Sequence, residues 1–330
     1  VSIPLTTAFA LDAPRGALRG PRRVAAAFAG LPAAMGLGVL SALFFSVSFV
    51  VNHGMALGGG AWEWSASLRF LISLPIVAVV VGLRGGVRPV LAALRAAPGR
   101  WVLWSTVGFG LFYAPICFAA QSSPGWVVAS TWQVTIVCGM LLAPLLYRDE
   151  RRRVPRIALL LSGVVLVGVV LTVLEAPGGI TWSVAGGIAA VLVAAVAYPV
   201  GNRATMDLAG DGLDTFQRLL AMSLASLPCW VLLSVAGGVR AGLPDGGQLA
   251  STAVVAVCSG VIATALFFAA TRRVRDDPLH LAAVEATQAA EVVFVAVAEP
   301  LVLATAPPGP LAWIGIAVIT AGVLGYSFNR

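Results

Sequence analysis

Apolar residues in this chain gather in long runs separated by short polar or arginine-bearing links. Ten runs can be drawn, near residues 33–56, 61–83, 101–120, 125–147, 157–174, 183–203, 216–237, 249–271, 280–304 and 309–328. A hydrocarbon core of about 30 Å is crossed by roughly 20 helical residues, so each run is predicted to be a transmembrane helix. The fold class expected is all-α and integral to the membrane, with ten transmembrane helices. Ahead of them, residues 1–30 contain Pro4, Pro14 and Pro21 and no apolar core ending at a cleavage site. They read as a flexible cytoplasmic tail, and the initial Val fits a GTG start codon.

The links carry the orientation, because cytoplasmic segments hold an excess of basic residues. Arg15, Arg19, Arg22 and Arg23 precede the first run, and Arg84, Arg88, Arg95 and Arg100 follow the second. Arg148, Arg151, Arg152, Arg153 and Arg156 follow the fourth, and Arg272, Arg273 and Arg275 follow the eighth. Ten crossings put all four clusters on one side, so both termini are predicted cytoplasmic. On the other side, the link after the seventh run has Arg240, and the remaining links carry no Arg. The link after the sixth run sets Arg203 against Asp207, Asp211 and Asp214 and is assigned by alternation alone.

Shifting the sequence on itself by about 150 residues gives ordered matches, the signature of an internal repeat. Gly36 falls on Gly186, Asn52 on Asn202, Gly110 on Gly260, and Phe118-Ala119-Ala120 on Phe268-Ala269-Ala270. Slightly larger shifts bring Pro124 onto Pro278, Gln133 onto Gln288 and Gly163 onto Gly322. Residues 31–181 and 182–330 are thereby expected to be two five-helix halves. An odd number of spans per half turns the second half over, giving an inverted repeat with a site near the bilayer midplane.

Composition agrees with the membrane as solvent. Hydrophobic residues make up 59% of the 330 and charged residues 11%, against about 25% charged in soluble domains. All 21 basic residues are Arg, a bias expected of GC-rich DNA and hence of a bacterial cytoplasmic membrane. The net charge of +7 resides mostly in the links, so it indicates topology, and no nucleic-acid partner is expected. Cys117, Cys138, Cys229 and Cys258 lie inside apolar runs without metal or redox spacing. They are assigned to packing.

Ionisable groups in hydrocarbon cost about 2.5–3.5 kcal/mol each and are functional candidates by default. Arg69 lies in the second run, Arg218 at the start of the seventh, and Glu285, Glu291 and Glu299 in the ninth. At 1.5 Å per residue, Glu291 lies about 16 Å beyond His280, near the midplane. Arg69 is at a depth that lets it pair with Glu291 or Glu299, and Arg218 at one that suits Glu285. Both arginines fit either a register-fixing ion pair or a role at a site. Glu291 is the first candidate for proton coupling and Glu285 the second, because a buried carboxyl with access to water can exchange a proton for substrate. Glu299, beside Pro300, fits a cap or loop contact, and Glu63 and Arg203 sit within reach of the headgroups.

The expected substrate-binding set is Gln133, Gln288, Trp132, Tyr113, Arg69 and Asn52, a mixture of aromatic and convergent polar groups suited to a cavity. Asn52 and Asn202 equally fit interhelical hydrogen bonds. Trp62, Trp64, Trp101, Trp126 and Trp182 stand at run ends, where an interfacial belt accounts for them. His53 and His280 are isolated and terminal, so neither a metal nor another cofactor is expected.

Val51-Asn52-His53-Gly54-Met55, followed by Trp62-Glu63-Trp64-Ser65-Ala66-Ser67-Leu68-Arg69-Phe70, resembles the drug/metabolite transporter superfamily. The closer likeness is to its branch of "putative multidrug resistance efflux transporters". Gly108 to Pro115, Pro124-Gly125-Trp126, Ser130-Thr131-Trp132-Gln133, Glu285 to Gln288 and Glu291 to Phe294 are similar to that branch too, and the likeness covers residues 33–328. It implies ten spans from two inverted repeats and export by alternating access, driven by protons or by the substrate gradient. In the superfamily's small four-helix pumps, a Glu in the first span binds drug and proton in turn. The first run here has no acid, which moves that role to the ninth.

The preferred reading is a secondary active exporter, coupled to protons, of small amphipathic or cationic solutes. The alternative is an exporter of amino acids or other metabolites, with Arg69 pairing a substrate carboxylate. The HExxH, GxSxG and P-loop motifs do not occur, and no enzyme activity is expected.

Overall fold

The computed structural model describes residues 21–84, 86–142, 144, 156–274, 280, 283–284 and 286–328, with side chains from Leu31 onward except at Asp211, Phe268, Arg272 and residues 326–328. Every element among them is a helix. The order is α1 (Pro21–Leu57), α2 (Trp62–Arg84), α3 (Arg88–Ala96), α4 (Pro98–Ser105), α5 (Leu111–Ala119), α6 (Gly125–Trp132), α7 (Val134–Leu141) and α8 (Arg156–Leu174). There follow α9 (Trp182–Ala209), α10 (Thr215–Ala225), α11 (Leu227–Ala241), α12 (Gly246–Val255), α13 (Thr264–Val274), α14 (Ala290–Leu303) and α15 (Pro310–Phe328).

Six helices among the described residues are long and apolar enough to cross a membrane. Seven qualify if α10 and α11, bent by 46° at Ser226, form one span. Pro228 explains the bend, since it has no N–H to give to the preceding turn. The predicted ten exceed this number at the fourth, ninth and tenth runs. Gly125–Leu141 and Pro310–Gly325 are apolar but shorter, and the ninth run is interrupted by a 3-10 turn at Thr287–Ala289 ahead of α14.

Boundaries differ where helix-forming sequence outlasts apolar sequence. The tail expected over 1–30 is helical from Pro21, because proline suits a first helical position and the alanines after it favour continuation. Its remainder lies outside the described residues. α9 likewise runs past residue 203 to Ala209, where Gly210 at φ +49° stops it. Amphipathic α3, assigned to a link by its arginines, is a helix with Val90 buried.

The polar and apolar surfaces are distributed as in a membrane solvent. Leu160, Val167, Leu232, Val239 and Leu301 stand exposed, while Ser41, Asn52, Glu63, Ser67, Arg69 and Glu299 are buried. An apolar exterior of this extent is unstable in water and ordinary in lipid. Small residues bring the helices together, as is usual in bilayers. α8 packs along α15 with Gly168 against the backbone of Gly315.

α4 and α5 are joined by a π-helical turn at Thr106–Gly110, and α12 and α13 by another at Ala256–Ala263. Such turns insert one residue into the helical register and recur at functional sites. The first brings Gly108 against the α9 backbone at Gly201, and the second brings Gly260 against Ser73 of α2.

Candidate functional site

Asn52 on α1, Arg69 on α2 and Tyr113 on α5 meet where α1 and α2 pack against the second π-turn. Asn52 Nδ2 donates to Tyr113 Oη at 3.0 Å. The Arg69 guanidinium lies over the Tyr113 ring, 4.0 Å from its centre, and Nη2 donates to Ser259 Oγ at 2.6 Å. Ser259 belongs to the π-turn, so the backbone irregularity is what brings its hydroxyl within reach of α2.

A guanidinium offers five N–H groups, and no carboxylate lies within ion-pair distance of Arg69 among the described residues. Arg69 is 9% exposed, and none of its nitrogens is both enclosed and unbonded. Those without a partner therefore border open space. Glu291, at the start of α14, is also buried, at 7%, and has no hydrogen-bond or ion-pair partner among the described residues. Its oxygens border open space by the same reasoning.

Aromatic rings extend from this point in two directions. Phe112, Trp132 and Tyr198 form one group, with ring centres 4.8, 4.9 and 5.5 Å apart. Phe70, Phe109, Tyr113 and Trp230 form the other, in which Phe70 stacks on Trp230 at 4.3 Å. The stripe Phe109, Phe112, Tyr113 recurs at helical spacing, which turns all three toward the interior. Ser259, Tyr198 and Phe70 were not singled out in the sequence, where each is one more residue in an apolar run.

The remaining predicted residues go elsewhere. Gln288 Nε2 donates to the Gly38 carbonyl of α1 at 3.1 Å, and so it ties two helices together. Gln133 is buried and reaches only the Ala129 carbonyl of its own helix, at 3.5 Å. Glu285 lies outside the described residues. Arg203 Nη2 donates to the Gly139 carbonyl at 2.7 Å, one of the acceptors left open in the last turn of α7. Glu63 is 4% exposed and forms a two-point ion pair with Arg240 of α11, at 2.5 and 2.7 Å. Gly237 has no side chain to keep the helices apart there. Trp101 and Trp126 are buried in apolar clusters and do not join an interfacial belt, whereas Trp182 is fully open.

Glu299 is completely buried and serves as a clamp. Its carboxylate accepts the Gly125 and Trp126 N–H groups at 2.9 Å each, at the start of α6, and meets His53 Nδ1 of α1. The first N–H groups of a helix have no internal acceptor and favour negative charge. Gly125 is required, since a Cβ there would sit 2.8 Å from the Phe49 carbonyl oxygen. The isolation of His53 in the sequence concealed this partner, 246 positions away.

An apolar groove of 580 Å³ opens between α9 and the α4–α5 span, lined by Val107, Leu111, Leu192 and Val196 among others. Its lining has no charged group and includes neither Arg69 nor Glu291. No group of three or more metal-ligating side chains occurs among the described residues.

The family described as "EmrE: Putative multidrug resistance efflux transporter" matches residues 33–330. The chain is 44% identical over 302 residues to the uncharacterized protein YjlA of Bacillus subtilis (strain 168), covering 88% of this chain and 93% of that protein. An uncharacterized 42.1 kDa protein of Shouchella clausii, from the region 3' of an intracellular alkaline protease, is 44% identical over 264 residues, covering 78% of this chain and 70% of that one. A solved structure described only as "Crystal structure of protein" superposes with a TM-score of 0.61 at 17% identity, over 89% of this chain and 96% of its own, and shares the fold. With its apolar helices, polar interior and match across nearly its whole length, the chain is a multi-pass membrane protein that belongs to the "putative multidrug resistance efflux transporter" family of the drug/metabolite transporter superfamily.

Proposed function

We propose that this protein is a proton-coupled exporter of small amphipathic or cationic solutes in a bacterial cytoplasmic membrane, working by alternating access. The observation that carries the reading is the pair Arg69 and Glu291. They are two ionisable groups of opposite charge, nearly buried in an apolar fold at 9% and 7% exposure, with no ion pair among the described residues. Charges without a protein partner at such depth are expensive and fit a site whose partners come and go. Glu291 is assigned to proton coupling, with Asn52, Tyr113, Arg69 and Trp132 lining the path.

The proposed architecture is ten spans in two inverted halves, 31–181 and 182–330, with both termini cytoplasmic. Two features support it. The π-turns begin at Thr106 and Ala256, which the repeat offset of about 150 residues pairs. The packing also exchanges under that pairing. α1 lies against the π-turn and α13 of the other half, as α9 lies against the first π-turn and α5, while α1 meets α14 as α9 meets α7. Alternating access requires two halves that can trade conformations in this way.

Proteoliposomes holding the purified protein and a trapped pH dye, given a pH gradient and a cationic dye as solute, test the coupling. Solute and proton fluxes should rise together, and Glu291→Gln should lower gradient-driven exchange by about tenfold or more, the loss typical of a removed proton-transfer group. Solute flux indifferent to collapse of the gradient overturns proton coupling.

A further inference from the structure

The groove between α9 and the α4–α5 span lies on the outside of the protein, since Leu111, Leu192, Val193 and Val196 of its lining stand exposed. In a multi-pass membrane protein, such a surface meets lipid chains. Gly108 and Gly201 set the register of the two walls, because their backbones touch. From that contact Arg100 lies eight residues back along α4 and Asp207 six residues on along α9, which places both about 9–12 Å nearer one membrane face. Each continues a stripe of the groove. Arg100, Leu103 and Val107 recur at helical spacing, as do Val193, Val200 and Asp207. Arg100 and Asp207 are exposed, and neither has a hydrogen-bond or ion-pair partner among the described residues. Arg203, the other charge on this part of α9, is turned toward the Gly139 carbonyl.

We propose that this groove is a docking site for a phosphatidylethanolamine molecule. Its phosphate is met by Arg100, its ammonium by Asp207, and one acyl chain lies along Val107, Leu111 and Val196. From Arg100 to Leu111 is eleven residues, about 16 Å of rise, close to half of a hydrocarbon core of about 30 Å. The groove therefore has the reach of a chain from one leaflet. Lipid tails are all equally apolar, so selection among phospholipids falls to packing and to the headgroup. Guanidinium suits phosphate through paired donors, and an ammonium has N–H groups for a carboxylate. An anionic headgroup would bring its charge beside Asp207 with nothing to offset it. A choline headgroup has no N–H to donate.

The test is native mass spectrometry of the purified full chain in detergent, titrated with phosphatidylethanolamine, phosphatidylcholine and phosphatidylglycerol of identical acyl chains. Phosphatidylethanolamine should bind about fivefold tighter than either of the others, the effect of about one charge at a membrane surface. Asp207→Asn should remove most of that preference, and Arg100→Gln should weaken all three lipids by about fivefold. Arg156→Gln removes the same charge at the start of α8, outside the groove lining, and should leave binding within about twofold. Val196→Trp fills the groove from an exposed position and should weaken all three lipids alike, since it displaces the chain and spares the headgroup contacts. Equal binding of the three lipids, tighter binding of phosphatidylglycerol, or a loss in Arg156→Gln as large as in Arg100→Gln overturns the proposal. So does a dimer in detergent that Val196→Trp dissociates, because a second copy then covers the groove. The wild-type lipid series decides the matter even if a variant does not fold.

Discussion

Glu291 and Glu299 sit on the same helix, eight residues and about 12 Å of rise apart, and the protein treats them in opposite ways. Glu299 is fully enclosed and meets three donors, from α1 and from the first turn of α6. Glu291 is nearly as buried and meets none among the described residues. Burial alone therefore does not mark a functional acid in a membrane protein. The informative difference is whether the fold supplies the partners. Where it does, the acid joins helices; where it does not among the described residues, the acid is left for the role proposed above.

The largest effect expected from this contrast is on stability at the clamp. Glu299→Ala leaves two N–H groups and the His53 ring without their acceptor in a dry interior, and should cost about 3 kcal/mol, in the range for breaking a buried charged pair. Thermal unfolding in detergent, followed by tryptophan fluorescence, checks it. A variant as stable as wild type would show that α1, α6 and α14 are held by apolar packing alone, and the distinction between the two acids would lose its structural half.

Much of this site was legible because the bilayer makes polar residues conspicuous. Asn52, Arg69, Tyr113 and Glu291 stand out in apolar runs, and the fold brings the first three into direct contact. Depth, though, does not fix direction. Gln288 and Gln133 lie as deep as any candidate, yet they bond backbone carbonyls, because an amide pairs with whichever acceptor its helix face meets. Ser259 was hidden for another reason. Its role depends on a π-turn that hydropathy does not record, one that also brings Gly260 against Ser73, far away in the chain. The positions of the helices followed from apolar runs, but the bend at Ser226 and the broken ninth run depend on local hydrogen bonding that hydropathy does not record.

A smaller effect is expected at Asn52, which adjoins the clamp residue His53 and faces the open site. Asn52→Ala removes the polar partner of the Tyr113 hydroxyl, at a cost of about 1 kcal/mol, the scale of interhelical hydrogen bonds in membranes. The same unfolding assay reads it. A loss as large as that of Glu299→Ala would mean that the site is as rigidly built as the clamp, and would blur the boundary between them.

The smallest stability change is expected where the greatest loss of transport is proposed. Glu291→Gln keeps the size of the side chain and breaks no hydrogen bond or ion pair among the described residues, so unfolding should shift by less than about 0.5 kcal/mol, as at positions without a broken interaction. Glu299→Gln is the control: it too keeps the size, but it weakens bonds to two N–H groups and to His53, and it should destabilise clearly in the same assay. Equal shifts in the two variants would show that Glu291 has structural partners after all. A neutral Glu291→Gln beside a destabilised Glu299→Gln would instead separate an acid that holds the fold from one that the fold keeps available, on a single helix and with a single chemical change.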